Sequence, residues 1–153
     1  DQFVLGDQIE GAGTTGKVEA FTLRSTQVRC ADGSLMCLPN SELRKVKNLT
    51  KDWSQVDFRI LISNRQPLEP ALQSLQSELE KLALDWSDKF LSEPELLGPE
   101  DIQPGGCSLR ALLKTCPGEQ FKVKRELNRR VKDRFEKDGI ALAPPPLGET
   151  ARA

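Results

Sequence analysis

The chain has 153 residues, of which 37% are hydrophobic and 29% charged, and its formal net charge is −1. This length suits one domain or two small ones, and the near-neutral charge provides no bulk field toward nucleic acid or an anionic membrane. The chain contains no His, which excludes a Ser-His-Asp or Cys-His catalytic centre and removes the commonest metal ligand.

Membrane and export signals are also missing from the sequence. No apolar run approaches the roughly 18 residues that cross a bilayer as a helix, and no signal peptide is visible. The chain begins at Asp1 without a Met. We therefore expect a piece of a longer protein, without a transmembrane segment of its own.

The first fifty residues predict a small all-β domain. Gly6 and Asp7 predict a turn before a short strand, and Val18–Arg29 is rich in β-branched and aromatic residues. Asp32-Gly33 lies between two apolar runs and predicts a two-residue hairpin turn of type I′. Pro39 ends a strand because it lacks an N–H, and Asn40 and Ser41 can bond neighbouring backbone groups at the next turn. Four or five strands in a bent barrel or sandwich would fit.

The predicted hairpin also predicts an environment for two of the four cysteines. A two-residue turn would place Val28 opposite Cys37 and Cys30 opposite Leu35, with both thiols on one buried face. We expect buried, reduced thiols that act as small hydrophobic side chains. A diagonal disulfide and a metal site remain alternatives, although the spacings C-x6-C and C-x8-C are not those of zinc knuckles.

A glycine motif precedes this hairpin and resembles two phosphate-binding patterns. Gly11–Lys17 reads G-A-G-T-T-G-K, but such loops bind phosphate at the N-terminus of a following helix. Here a strand pattern follows, and Val18 stands where a Ser or Thr would reach magnesium. The motif therefore favours a turn between strands, and no nucleotide or other cofactor is expected.

Residues 55–142 predict the order β-α-β-β-α, which is typical of a two-layer ferredoxin-like fold. A strand with one buried face comes first, and a helix of about four turns follows Pro67. Glu95–Leu97 could belong to a strand within an acidic, Pro-marked stretch. Gly106–Cys116 alternates again, Pro117 suits the first turn of a helix that runs to about Asp138, and Gly139 is a natural stop.

The last predicted helix is rich in Lys and Arg. Acidic residues are interleaved with them, as on an ordinary solvated helix face. An acidic partner surface and RNA remain alternatives. The acidic partner could lie within the chain, because the segment from Glu78 to Asp101 holds eight acidic and two basic residues.

The order of motifs in the first half resembles the β domain of the small-conductance mechanosensitive channel (MscS-type) family. The matching residues are Gly6-Asp7, Gly16-x-Val18-Glu19, Leu23-Arg24-x-Thr26-x-Val28-Arg29, Asp32-Gly33 and Pro39-Asn40-Ser41. The later element order agrees in layout, as does Gly139-Ile140 followed by prolines. The acidic segment around residues 85–106 matches nothing in the family pattern.

The resemblance implies an α+β architecture in three parts. Residues 1–50 would form an Sm-like β barrel, residues 55–142 the ferredoxin-like domain, and residues 143–153 a Pro-rich disordered tail. Seven copies would assemble below upstream transmembrane helices into a cage on the cytoplasmic face of the inner membrane. Its portals would filter solutes during osmotic pressure release, and Ile140–Leu142 would be the strand that closes the cage bottom.

The resemblance also implies that the chain is not an enzyme and has neither a metal nor a cofactor. Its expected partners are further copies of itself and the upstream helices, without nucleic acid or a small-molecule substrate. The candidate residues, for fold maintenance or subunit contact, are Gly6, Asp7, Gly16, Val18, Arg24, Thr26, Arg29, Asp32, Gly33, Pro39, Asn40, Ser41, Gly139 and Ile140. The alternative function is a free-standing Sm-like module that binds RNA or a protein.

Overall fold

The computed structural model describes residues 2–144. The chain divides into two compact units, the first ending at Ser54 and the second beginning at Gln55. Most of the expected Pro-rich tail, residues 145–153, lies outside the described residues. Within residues 2–144, neither helix is both long enough and apolar enough to cross a bilayer.

The first unit is one antiparallel sheet. Its strand order is β4-β3-β2-β1-β5, and the chain visits the strands mostly as consecutive hairpins, as the turn signals in the sequence predict. The strands are β1 (Gln8–Gly11), β2 (Thr14–Phe21), β3 (Ser25–Arg29), β4 (Leu35–Pro39) and β5 (Lys47–Asn48).

The core of this unit is small. Ile9, Val18, Val28, Leu38 and Leu43 are buried, and Phe3 and Val46 pack against them. The outer strands β4 and β5 are not paired with each other, so the five strands form an open sheet and not a closed barrel. The predicted all-β first domain is confirmed as part of a mixed α+β fold.

Two hairpins differ in a way that corrects the predicted register. Between β1 and β2, Gly11 pairs with Thr14, and the two turn residues Ala12 and Gly13 both have positive φ, as a type I′ turn requires. Between β3 and β4, the Cys30 N–H donates to the Ser34 carbonyl. The loop therefore has three residues, and the two-residue turn predicted at Asp32-Gly33 is wrong.

This one-residue difference changes the environment predicted for the cysteines. Cys37 pairs with Gln27 instead of Val28, because a shift of one residue turns a whole strand over. Cys37 is exposed and Cys30 is partly exposed, and both are free thiols. The predicted shared buried face for these two cysteines is wrong.

The second unit has the predicted order β-α-β-β-α. Its sheet has the strand order β6-β8-β7, so the last strand of the three lies between the other two, as in a split β-α-β unit. The elements are β6 (Ser54–Ile62), α1 (Leu68–Asp85), β7 (Glu95–Gln103), β8 (Gly106–Thr115) and α2 (Gln120–Asp138).

Strand β7 is much longer than the three residues predicted from the sequence. It pairs antiparallel with β8 but contains two irregularities, between Leu96 and Gly98 and between Pro99 and Asp101. Such bulges interrupt the apolar alternation by which strands are recognised. Pro99 is tolerated because β7 is an edge strand.

Glycine residues explain where helix α2 begins and ends. Helix α2 begins at Gln120 and not at Pro117, because Gly118 has a φ of +85°, which no α-helix contains. Gly139 ends α2 as predicted, with a φ of +68°. The Ile140 N–H then donates to the Phe135 carbonyl at 2.8 Å, which satisfies one of the last helical carbonyls.

One face of the three-stranded sheet packs against both helices. The buried core comes from β6, α1, β8, α2 and Ile140, and it includes Phe58, Leu79, Leu109 and Leu127. After α2 the chain returns to the sheet: the Ser63 N–H donates to the Ala141 carbonyl and the Ala143 N–H to the Leu61 carbonyl. Residues 141–143 thus lie beside the end of β6 in the same chain.

Candidate functional site

The candidate residues of the first unit meet in three hydrogen-bonded groups. Each group joins segments that are far apart in the sequence. One lies before β1, one lies between the β2–β3 turn and the end of β4, and one lies at the tip of the β3–β4 hairpin.

Asp7 is the centre of the first group. Its carboxylate accepts from the Val4 N–H at 3.0 Å, from Asn48 at 2.9 Å and from Thr50 at 3.1 Å. Burial raises the pKa of the Asp7 carboxyl, but these hydrogen bonds outweigh that effect and hold the pKa below its ordinary value. Gly6, with a φ of +91°, provides the turn that brings the carboxylate into place.

Asn40 is the centre of the second group. The buried Thr26 hydroxyl donates to the Asn40 side-chain oxygen at 2.7 Å, and the Asn40 side-chain amide donates to the Thr22 carbonyl at 2.9 Å. The Asn40 N–H donates to the Arg24 carbonyl at 2.7 Å. Asn40 therefore fastens the end of β4 to the β2–β3 turn, and Pro39 sets the backbone direction just before it.

Arg29 is the centre of the third group. Its guanidinium makes a two-pronged pair with the Glu19 carboxylate at 3.0 and 2.9 Å and donates to the Gly33 carbonyl at 2.9 Å. Hydrogen bonding to Arg29 lowers the pKa of the Glu19 carboxyl. The Asp32 carboxylate accepts from the Ser34 N–H and hydroxyl. Arg29 thus bonds within its own chain; the sequence left fold maintenance and subunit contact open for it.

Gly16 and Val18 have packing roles. A Cβ added to Gly16 would lie 2.4 Å from the Arg29 carbonyl oxygen. Strand β3 therefore lies too close to β2 at this point for a residue with a side chain. Val18 is one of the five buried core side chains. The sequence suggested a turn at Gly16, but the residue lies inside β2.

Arg24 and Ser41 project from the exposed side of the first unit without a side-chain partner among residues 2–144. Arg24 belongs to the β2–β3 turn, where Leu23 is fully exposed and Phe21 is half exposed. Phe21 contacts the ring of Phe3 edge-on, and the next two residues, Val4 and Leu5, are also more than half exposed. These apolar side chains form an uncovered surface, which we call the turn surface.

The edge of the sheet at β4 is uncovered as well. Hydrogen-bonded pairs at Cys30/Ser34 and Arg24/Asn40 fix the alternation along β3 and β4. The backbone groups of Leu35, Cys37 and Pro39 therefore point away from β3. Leu35 is 44% exposed, and such a strand edge accepts another chain readily.

The second unit holds a charged group that the sequence reading missed. Arg110 on β8 donates to Asp57 on β6 at 2.8 and 3.1 Å and to Glu100 on β7 at 3.0 Å, so one side chain links all three strands. The hydrogen bond from Arg110 lowers the pKa of the Asp57 carboxyl to about 2. The alternation of Gly106–Cys116 in the sequence gave no sign of these two partners.

The two candidate residues of the second unit have structural positions. Gly139 provides the left-handed end of α2, and Ile140 is buried in the core. Among residues 2–144, no three His, Cys, Asp or Glu side chains converge in a way that would hold a metal ion. The arrangement is one of strand edges, apolar surface and ion pairs.

Two family models match the chain in the order of its units. The model described as "Mechanosensitive ion channel, beta-domain" matches residues 1–51. The model described as "Mechanosensitive ion channel MscS, C-terminal" matches residues 106–142.

Curated relatives and solved structures agree with these models. The chain is 30% identical over 145 residues to a small-conductance mechanosensitive channel of Caldanaerobacter subterraneus. The aligned region covers 95% of this chain and 51% of the relative. The chain is 29% identical to the small-conductance mechanosensitive channel MscMJ of Methanocaldococcus jannaschii, over 94% of this chain and 42% of the relative.

A solved structure gives the same result for the fold. The crystal structure of Helicobacter pylori MscS in its closed state superposes with a TM-score of 0.70 at 22% identity, over 95% of this chain and 57% of that chain. The chain therefore spans about half the length of the proteins it resembles. The β-domain match, the C-terminal match and the shared fold lead to one conclusion: this chain belongs to the MscS family of mechanosensitive ion channels.

Proposed function

We propose that this chain is the cytoplasmic part of an MscS-type channel, below membrane-spanning helices of the same protein. In this role it supports assembly and does not catalyse a reaction. The observation that carries the proposal is the first unit: it matches the family's β domain and presents an uncovered apolar turn surface beside an open strand edge. Exposed apolar patches rimmed by polar residues mark protein–protein contact.

In this proposal seven copies form a hollow cage on the cytoplasmic face of the inner membrane. Solutes leaving the cell during osmotic downshock pass through side portals of the cage before they reach the pore. The hydrogen bonds that Arg29, Asn40 and Asp7 make within the chain support this role, because they stiffen the first unit against the load of a membrane-attached assembly. The turn surface, including Leu23 and Arg24, then contacts the neighbouring copy.

The turn surface can be tested with Leu23→Asp in the full-length channel. Leu23 is fully exposed, so the substitution leaves the isolated chain folded while it places a charge in the proposed subunit contact. We expect loss of the assembled oligomer on native gels and loss of protection in a host that lacks its own mechanosensitive channels. Leu84→Asp, at an exposed position on α1, is the matched control and should retain both.

The channel proposal itself can be tested by reading the coding sequence upstream of Asp1. Coding sequence for at least one hydrophobic segment of about 20 residues is required there. A gene without such a segment would contradict the proposal, whatever Leu23→Asp does. Steep salt-dependent affinity of the chain for RNA would then favour the free-standing Sm-like module instead.

A further inference from the structure

The N-terminal half of α2 carries an excess of positive charge that its own chain neutralises only in part, through the pairs of Arg129 and Arg130 with Glu126 and of Arg130 with Asp85. Gln120–Arg130 holds five basic residues and one acidic residue. Lys122, Lys124 and Arg125 are exposed and form no ion pair with any residue between positions 2 and 144. Solvated helix faces usually alternate in sign, as the second half of α2 does through its pair of Lys137 with Asp133.

The position of these charges is unfavourable for the helix itself. The first turn of α2 contains no acidic residue, and the helix dipole places partial positive charge at that end. Lys122 in this turn therefore costs helix stability where Asp or Glu would contribute to it. A partner that supplies negative charge offsets this cost.

Strand β7 and the residues just before it carry the opposite excess. The segment 91–103 holds four acidic residues and no basic residue. Glu93, Glu95 and Asp101 are exposed and make no ion pair within the described part of the chain, whereas Glu100 pairs with Arg110. The sequence left open that the last helix pairs with the acidic segment Glu78–Asp101, and this occurs in part: Arg130 pairs with Asp85 at 2.9 Å and Arg134 with Glu78 at 3.0 Å. Among residues 2–144, no acidic residue of the segment 91–103 forms an ion pair with α2.

The two charged surfaces belong to different elements of the second unit, α2 and β7. The C-terminal half of α2 lies beside β6, where a groove is lined by Phe58, Ile60, Val131 and Phe135. Strand β7 is the opposite edge of that sheet. Ile102, which is 77% exposed, adds apolar area to the acidic edge, and Phe121 adds it to the basic helix face.

We propose that the acidic β7 edge of one copy docks against the basic N-terminal half of α2 in the next copy. The occupant is a second copy of this chain, because one chain carries both surfaces with nearly equal and opposite charge. A contact between two different surfaces is heterologous, and repetition of it closes a ring when the rotation fits. This inference rests on the proposed assembly role and adds a contact in the second unit to the turn surface of the first.

Charge reversal tests the contact because each surface can be reversed separately and the two reversed surfaces can then be combined. K122E/R125E makes the helix face acidic, and E95K/D101K makes the strand edge basic. Each variant alone places like charges in the contact, so we expect its dissociation constant for self-association at low salt to rise at least tenfold above that of the unaltered chain. Sedimentation equilibrium measures this constant, and circular dichroism checks that each variant is folded.

An equimolar mixture of the two variants is the decisive measurement. The reversed helix of one variant then faces the reversed strand of the other, and we expect association to return to within a few-fold of the unaltered chain. Raising the ionic strength from about 0.05 M to about 0.5 M should weaken the unaltered chain and the mixture alike. The control R65E/K137E changes the formal charge by the same amount at other exposed positions and should associate normally.

Three outcomes would overturn the contact: no recovery in the mixture, an equal loss in R65E/K137E, or no association of the unaltered chain at low salt and millimolar concentration. None of them bears on the coding sequence upstream of Asp1. The channel proposal and the docking contact can therefore fail separately.

Discussion

Gly16 shows how a single residue can be required for a reason other than a turn. It is the third residue of β2, and an added Cβ would meet the Arg29 carbonyl oxygen at 2.4 Å and a Val28 methyl group at 2.6 Å. Backbone atoms of a paired strand cannot move aside as a flexible side chain does. The fold therefore depends on the missing side chain at this position.

We expect Gly16→Ala to destabilise the chain by about 1–3 kcal/mol, the usual cost of overpacking a filled core. The alanine also restricts the unfolded chain, which offsets a part of this cost. Differential scanning calorimetry of the two proteins measures the loss. Gly105→Ala is the matched control, because nothing lies within 4 Å of the added atom; an equal loss there would contradict the steric explanation.

The sequence identified most of these residues but not the reasons for their presence. Gly6, Asp7, Asn40 and Gly139 could be predicted at turns and caps, because those roles depend on local backbone chemistry. The pairing of Arg29 with Glu19 and the close approach at Gly16 depend on how strands pair. Such contacts join positions ten or more residues apart, and one sequence does not reveal them.

Among the elements, the three-stranded sheet of the second unit is linked by the Asp57–Arg110–Glu100 group. The hydrogen bond from Arg110 lowers the pKa of the Asp57 carboxyl from 3.8 to about 2, burial acts in the opposite direction, and Arg59 assists. The folded-state pKa is below the unfolded value. The ion pair therefore stabilises the fold fully above pH 3.8, and this contribution is lost as the pH falls toward about 2.

We expect Asp57→Asn to lower the free energy of unfolding at neutral pH by less than about 1 kcal/mol, because the pair is half exposed and screened by solvent. The difference from the unaltered chain should close as the pH falls from 3.8 toward about 2. Urea unfolding at several pH values measures it. Asp88→Asn, at an exposed position without an ion pair among the described residues, should show no such dependence.

Helix α1 allows a direct comparison of a buried and an exposed leucine. Leu79 is fully buried in the core, and Leu84 is 78% exposed. We expect Leu79→Ala to cost about 2–5 kcal/mol through lost burial and a residual cavity, and Leu84→Ala to stay within about 0.5 kcal/mol. Urea unfolding of the two variants measures both values, and similar losses would contradict the assigned orientation of α1.

The elements differ in how well the sequence predicts them. Helices α1 and α2 and strands β6 and β8 have one buried face with an uninterrupted period, so their existence and faces could be predicted. Strand β7 could not be predicted in full, because two bulges and Pro99 break its alternation. The β3–β4 register also failed, since Asp-Gly serves a three-residue loop as well as a two-residue turn.

On the scale of the whole molecule, the two units differ greatly in the size of their cores. Among the residues that the structure describes, fifteen hydrophobic side chains from Val56 to Ile140 form the buried core of the second unit. Among the described residues of the first unit, the buried hydrophobic core consists of Ile9, Val18, Val28, Leu38 and Leu43. Domains with so few buried side chains are marginally stable, because little burial offsets the conformational entropy that is lost for every residue ordered on folding.

We therefore expect a fragment that begins at Ser54 to fold alone, with the helical circular dichroism of α1 and α2 and cooperative unfolding in urea. Leu79→Ala should cost the fragment as much as it costs the full chain, because every core neighbour of Leu79 is retained. A fragment of residues 1–54 should instead melt at a lower temperature and less cooperatively. If the larger fragment unfolds without cooperativity, its core does not suffice, and the stability of this half of the chain depends on the first unit or on neighbouring copies.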